Sequence, residues 1–462
     1  MSMACASVHS ENMFWDEYLQ KRVSADEAVN VVESGDWVQY GEFVCIAPDC
    51  DAALARRKDE LKDVKISAIC LTLVPEPAKV DPKGEHFVIN DWYFSGISRM
   101  LHDKGLCHHI APLYHQIPIA HRKGEMPRYK AAFISVGPMD KNGYFNLGPS
   151  SSVTYMFREF CDNVIVEVNT SMPHCLGGAG ESIHISEVDY IVESSKNPPL
   201  LQVPGQEEAT EADVKIARLL MEELEDGCCL QFGIGALPNL VAKMIAESDL
   251  KDLGMHTEML VDSCVDLYES GILTGKRKQI DKGKMVYTFA MGTNKLYEFI
   301  DNNPACAIYG CEYTNDPVVI AQNDKVFAVN NCLHIDLYGQ VSAESIGPRH
   351  ISGTGGSIDF MLGAFRSKGG KGFVCMNATA TGRNGEIFSR IVPCFKPFTA
   401  ITMPRTIPHY IATEYGIVNL KGKSTWEKAE ALISIAHPDF RDELIAVAEQ
   451  NNIWIRSNKI AV

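Results

Sequence analysis

Apolar residues along this chain follow two alternating rhythms. Short unbroken runs such as Ala131-Ala132-Phe133-Ile134-Ser135-Val136 and Val164-Ile165-Val166-Glu167-Val168 have the length and content of buried strands. Between such runs lie stretches with apolar residues at helical spacing, among them 24–34 and 210–226. Strand and helix patterns that alternate in this way predict an α/β fold.

The pattern also repeats. Each of the two helical stretches runs to a glycine, Gly35 or Gly227, read as a helix stop, and then to a strand. Val38-Gln39-Tyr40-Gly41 answers to Leu230-Gln231-Phe232-Gly233. Further on, Tyr93-Phe94-Ser95-Gly96 answers to Phe289-Ala290-Met291-Gly292, and Asp140–Gly143 to Asp336–Gly339. Anchors in one order at nearly constant spacing predict two tandem α/β domains of similar topology. The Pro- and Ser-containing stretch 194–208 divides them, giving domains at 1–198 and 206–462. Two such domains place a ligand cleft, and with it the active site, at their interface.

Composition narrows the function. The chain has 462 residues, enough for two cores. A net charge of −16 repels nucleic acid and anionic membranes alike. No run reaches the roughly 18–20 apolar residues that cross a bilayer, and the first residues read as a loose lead-in without a signal peptide. Fifteen scattered cysteines, none in C-x-x-C spacing, suit a reduced cytoplasmic protein. No metal motif is present, and His108 and His109 are adjacent, so no metal is expected.

Four motifs could carry chemistry. Gly233-Ile234-Gly235-Ala236-Leu237-Pro238-Asn239 follows a strand and opens a helix, a turn whose free N–H groups suit negative charge. Pro238 stands where a dinucleotide fingerprint needs its last glycine, which weakens a nicotinamide reading. Glu258, in Gly254-Met255-His256-Thr257-Glu258-Met259, lies in a strand-like run opposite Ile66 of the first half, and a carboxylate there is costly without partners. Gly353, Gly355 and Gly356 form a second glycine-rich turn ahead of a helical pattern, followed by a basic loop with Lys368 and Lys371 that could meet phosphates. Thr413-Glu414-Tyr415-Gly416 reads alone as a turn after a strand.

Together GIGALPN, GMHTEMLVD, SGTGGSIDF, ATEYGIVNLKG and the terminal LKGKSTWEKAEALISIAHPDFRDELI resemble the acetyl-CoA hydrolase/transferase family of class I CoA-transferases. Within it the likeness is greatest to butyryl-CoA:acetate and next to 4-hydroxybutyrate CoA-transferases. The resemblance implies transfer of CoA from a short-chain acyl-CoA to acetate, with coenzyme A as substrate and no nucleotide cofactor. Glu258 would be the catalytic glutamate and Gly356 an oxyanion-hole donor. Gly233, Ile234 and Gly235 would line the site, Asn315 would position the thioester, and Glu414 would lie near it. The family also implies a homo-oligomer. Propionate or 4-hydroxybutyrate transfer, acyl-CoA hydrolysis and CoA binding without catalysis are the alternatives. Met403–Tyr410 and Glu181 depart from the nearest relatives, which bears on acyl specificity.

Overall fold

The computed structural model describes residues 13–203, 208–233, 235–382 and 384–453. The expected lead-in and Ile234 fall outside them. Two compact units make up the chain. The first comprises Met1–Val203, Met259–Val261 and Val286–Thr314, and the second Pro204–Glu258, Asp262–Met285 and Asn315–Val462. The sequence had put everything after 206 in the second domain. Instead Met259–Leu260 pairs in parallel with Phe289–Ala290, and both belong to the first unit.

The first unit is built on a seven-stranded parallel sheet. Its strands are β1 (Trp37–Tyr40), β2 (Val64–Ala68), β3 (Phe87–Asp91), β4 (Cys107–His109), β5 (Tyr129–Val136), β6 (Cys161–Val168) and β7 (Tyr190–Glu193). The order across the sheet is β7-β6-β5-β1-β2-β3-β4. Val38, Ile66, Ile89, Phe133 and Ile165 share one core, which explains the unbroken apolar runs. Helix α1 (Pro48–Arg56) follows β1 and starts on a proline, whose missing N–H costs nothing there.

The second unit contains β8 (Cys229–Phe232), β9 (Gly254–His256), β10 (Val326–Asn331), β11 (Lys371–Cys375), β12 (Tyr410–Thr413) and β13 (Gly416–Asn419). They lie in the order β13-β12-β11-β10-β8-β9. All neighbours are parallel except the β12–β13 hairpin. The repeat is therefore real at the level of topology: β7-β6-β5-β1-β2 and β12-β11-β10-β8-β9 are one order of strands. It extends to register. Gln39 sits beside Ala132, and Ala132 beside Val164. Gln231 sits beside Ala328, and Ala328 beside Gly372.

Helices α2 (Glu211–Glu222) and α3 (Ala236–Ala246) pack together, burying Ile216, Ala217 and Leu220 on one and Val241, Ala242 and Ile245 on the other. Thr210 caps α2 reciprocally with Asp213. Helix α4 (Asp262–Glu269) packs against α3. Helix α5 (Ser357–Arg366) lays Phe360 and Ala364 against Cys229, Val326 and Ala328. Gly363 lets α5 approach the short helix Pro317–Ile320, because a Cβ there would stand 2.5 Å from Ile320 Cγ2. Helices α6 (Thr425–Ser434) and α7 (Pro438–Gln450) add Leu432, Ile433, Leu444 and Ile445 to the core around Val374 and Ile411.

Gly35 and Gly227 adopt the left-handed conformation, at φ 89° and 77°, that glycine tolerates best. They do not directly stop the helices: α2 ends at Glu222, and its counterpart tightens into a 3₁₀ turn at Val29–Val31. Both glycines instead turn the chain into the next strand. The described cysteines form no disulfide, and all but Cys70 and Cys394 are buried. No helix among the described residues is long and apolar enough to cross a membrane.

Candidate active site

Parallel strands all end on one edge of a sheet, and the helices that follow them begin there. Ligands of such folds gather at that edge. In the second unit it carries most of the residues singled out from sequence.

Glu258 is not within a strand. β9 ends at His256, and Glu258 occupies the bend before Met259–Leu260. Nor is Ile66 its counterpart. Val38 pairs with Ile66 and Leu230 with Met255, so Met255 answers to Ile66. The link between the paired strands is three residues shorter in the second unit, which a constant spacing overlooks. A carboxylate at the end of a strand can reach solvent and ligand, as one inside the sheet cannot.

Three groups meet there. Asn315 Nδ2 donates to Glu258 Oε2 at 2.6 Å. The Gly356 N–H donates to the same carboxylate. Gly356 is the N-cap residue of α5, so the carboxylate faces a helix N-terminus, which favours negative charge. A Cβ on Gly356 would lie 1.9 Å from Glu258 Oε2 and 2.3 Å from Asn315 Nδ2. Close approach alone therefore demands glycine. Neighbouring Gly355, at φ 51°, supplies the left-handed turn that aims the Gly356 N–H. Asn315 follows the helix Cys311–Thr314 and precedes Asp316, whose side chain caps the helix Pro317–Ile320.

Glu258 is half-buried as a residue, with its carboxyl packed among protein groups. Dehydration pushes it up to about 7, and repulsion from Asp359 adds to this. The Asn315 and Gly356 hydrogen bonds work the other way. Asp359, fully buried in the first turn of α5, is the group that sequence reasoning missed. An acid three residues past an N-cap reads as ordinary helix-start chemistry, and only the fold sets it near another carboxylate. Asn315 is also fully buried, and its Oδ1 has no partner among the described residues. That leaves an acceptor available beside the carboxylate.

The other expected residues divide. Gly235, at φ 121°, begins α3 after β8 on the same edge, and Gly233 has open space where a Cβ would be. Gly353 is buried in the turn leading to α5. Glu414 stands on this edge in the β12–β13 turn, with Oε2 accepting from the Ala378 N–H at 2.8 Å, so it braces the segment after β11. Lys368 and Lys371 do not join the site. Lys371 opens β11 at the opposite edge and pairs with Glu223 at 2.7 Å, and Lys368 is exposed just before it. Four further residues of strand put Lys371 about 13 Å from the ligand edge.

Two family models match: the acetyl-CoA hydrolase/transferase N-terminal domain over residues 8–201 and its C-terminal domain over 292–448. The chain belongs to the acetyl-CoA hydrolase/transferase family. It is 49% identical over 445 residues to a probable butyrate:acetyl-CoA coenzyme A-transferase of Syntrophomonas wolfei, covering 96% of this chain and 98% of that one. It is 46% identical to the butyryl-CoA:acetate CoA-transferase of Anaerostipes caccae, covering 96% and 100%. Among solved structures, RipA from Yersinia pestis superposes at a TM-score of 0.85 with 34% identity, covering 96% of this chain and all of that one. A 4-hydroxybutyrate CoA-transferase from Porphyromonas gingivalis reaches 0.75 at 30% identity, covering 95% and 100%. The two-domain α/β architecture expected from the repeat is thus the architecture of this acetyl-CoA hydrolase/transferase.

Proposed function

We propose that this chain moves CoA from butyryl-CoA to acetate through a glutamyl-CoA thioester on Glu258. One observation carries the reading: a dehydrated carboxylate at the end of β9, held by the Asn315 amide and the Gly356 N–H. Relatives at 49% and 46% identity, named for butyrate or butyryl-CoA and acetyl-CoA or acetate, support the choice of substrates.

The ionised Glu258 attacks the thioester carbonyl carbon. The C–S bond breaks, CoA leaves as thiolate, and a mixed anhydride remains. The thiolate then attacks the glutamyl carbonyl, butyrate departs, and Glu258 carries CoA as a thioester. Acetate attacks this carbonyl and expels the thiolate. The thiolate attacks the acetyl carbonyl, giving acetyl-CoA and free Glu258. No acyl activation is lost to water, so the reaction needs no separate energy source.

The Glu258 carboxylate already receives two N–H groups. When the glutamyl carbonyl is attacked, negative charge grows on its oxygen, where such donors need not reorganise. Each is worth about 3–4 kcal/mol in such a role. Dehydration that raises the carboxyl also makes the ionised form a better nucleophile.

The test gives purified protein butyryl-CoA with and without acetate and follows acyl-CoA products by mass spectrometry. Acetyl-CoA and butyrate formed only with acetate, and lost in Glu258→Gln, are expected. Free CoA without acetate makes the chain a hydrolase. No product from any acyl-CoA makes it a binding protein, and turnover by Glu258→Gln removes Glu258 from the mechanism.

A further inference from the structure

Glu42 is a buried acid that the transfer steps leave unused. It lies just past β1 and is fully buried. Its Oε2 accepts from the Val153 N–H at 3.1 Å and from Thr154 Oγ1 at 3.0 Å. Burial pushes its carboxyl up to about 7, against hydrogen bonds that pull it down. Near neutral pH its charge is therefore only partly present. What Val153 and Thr154 receive in either state is an acceptor of fixed reach.

The same short stretch of chain grips that segment again. Cys45 Sγ donates to the Leu147 carbonyl at 3.7 Å and accepts from the Ser150 N–H. Between Glu42 and Cys45, Phe43 is held at φ 53°, a left-handed conformation that a bulky residue keeps only where its surroundings enforce it. Two contacts do so. Thr72 Oγ1 donates to the Phe43 carbonyl at 2.7 Å, and the Phe43 ring stacks on Phe289 with centroids 3.6 Å apart and planes 11° from parallel. Residues 42–45 thus grip both 147–154 and Phe289.

Those two segments are themselves joined. The Ser151 and Ser152 N–H groups both donate to the Thr288 carbonyl at 3.1 Å, and the Ala290 N–H donates to the Pro149 carbonyl at 2.7 Å. Phe289–Ala290 pairs in parallel with Met259–Leu260, and the Met291 N–H donates to the Leu260 carbonyl at 3.2 Å. Met259 directly follows Glu258. Every contact in this relay lies within the first unit, and its last link is a peptide bond. Met259 fixes one end of the bend that carries the carboxylate, so a shift of this strand moves Glu258 with it.

We propose that Glu42 is a positioning residue for Glu258: by holding Val153 and Thr154 it fixes Phe289–Ala290, and through that strand the Met259 end of the reactive bend. The inference rests on the reading of Glu258 as the reactive carboxylate. Glu42→Leu fills similar space without an acceptor and leaves two buried donors unpaired. Glu42→Gln restores the acceptor without the charge.

Both full-length variants are followed by hydrogen exchange with mass spectrometry and by kinetics on butyryl-CoA and acetate. In Glu42→Leu, exchange should quicken at 149–154, 286–291 and 257–261, while β6 at 161–168 stays protected. kcat should fall about tenfold or more, with the affinity for CoA, read by calorimetry, unchanged within about twofold. Glu42→Gln should return exchange and kcat toward their native values. Native exchange at 257–261 in Glu42→Leu overturns the proposal, as does a native kcat despite faster exchange there. A loss of kcat that Glu42→Gln does not restore overturns the role given to the acceptor. If Glu42→Leu does not fold, Thr154→Val, which deletes one donor, must quicken exchange at 257–261, and its failure to do so is equally fatal. Should the native protein transfer no CoA, the transferase reading falls, and exchange at 257–261 alone decides the coupling.

Discussion

Gly356→Ala isolates the geometry around Glu258 without touching charge. The added methyl carbon would start 1.9 Å from Glu258 Oε2 and 2.3 Å from Asn315 Nδ2. Ordinary contact is about 3.3 Å or more, so something must move by roughly 1 Å or more. The Gly356 backbone is anchored, because its carbonyl accepts from Phe360 N in the first turn of α5. Asn315 is fully buried. Glu258, half-buried in a bend, is the group free to yield. Its displacement takes the carboxylate off the Gly356 N–H. Loss of one such donor costs about 3–4 kcal/mol, or 10²–10³ in turnover, and a misplacement of about 1 Å alone costs about 10². The fold should lose only about 1–3 kcal/mol from overpacking. The assay pairs kcat/KM for butyryl-CoA and acetate with a melting curve. A fall of at least about 100-fold in an enzyme that still melts cooperatively is expected. Activity within about threefold of native would refute the close-approach argument.

Three other outcomes follow from the same coordinates. With Glu258 pushed up to about 7, the reactive carboxylate is mostly protonated below that value and ionised above it. The acidic limb of kcat/KM should therefore rise with pH through about 7, and a limb near the usual carboxylate value of about 4.5 would contradict the dehydration argument. Gly363→Ala places a Cβ 2.5 Å from Ile320 Cγ2 and must part α5 from the helix Pro317–Ile320. That should cost about 1–3 kcal/mol in a denaturant titration and lower kcat through Asn315 and Gly356, whereas unchanged stability would show the helices free to slide. Lys371→Met removes a partly exposed pair with Glu223 at the far edge of the sheet. It should cost no more than about 1 kcal/mol and leave KM for butyryl-CoA unchanged within about twofold, and a large rise in KM would restore Lys371 to the site.

Much of the candidate site was legible because its pattern is written locally. A strand, a glycine turn and a helix start identify Gly233 and Gly235 without any knowledge of packing. Gly353, Gly355 and Gly356 stand out for the same reason. Lys368 and Lys371 misled because a basic loop near a glycine motif is close in sequence, yet α5 and the loop after it carry the chain back across the sheet to its other edge.

The sequence by itself determined the alternation of strands and helices and the doubling of the fold, and it marked Glu258 as a candidate only through its resemblance to the family. The alternation and the doubling depend on side-chain type and spacing along the chain, which burial and hydrogen bonding read directly. Only the tertiary structure decided that Glu258 lies beyond β9, that Asn315 and Gly356 converge on it from separate segments, and that Asp359 lies close enough to repel it. The physical reason is the parallel sheet. Each strand's register against its neighbour is set by core packing and by the length of the connecting helix, so residues dozens of positions apart meet at an edge that no local pattern describes.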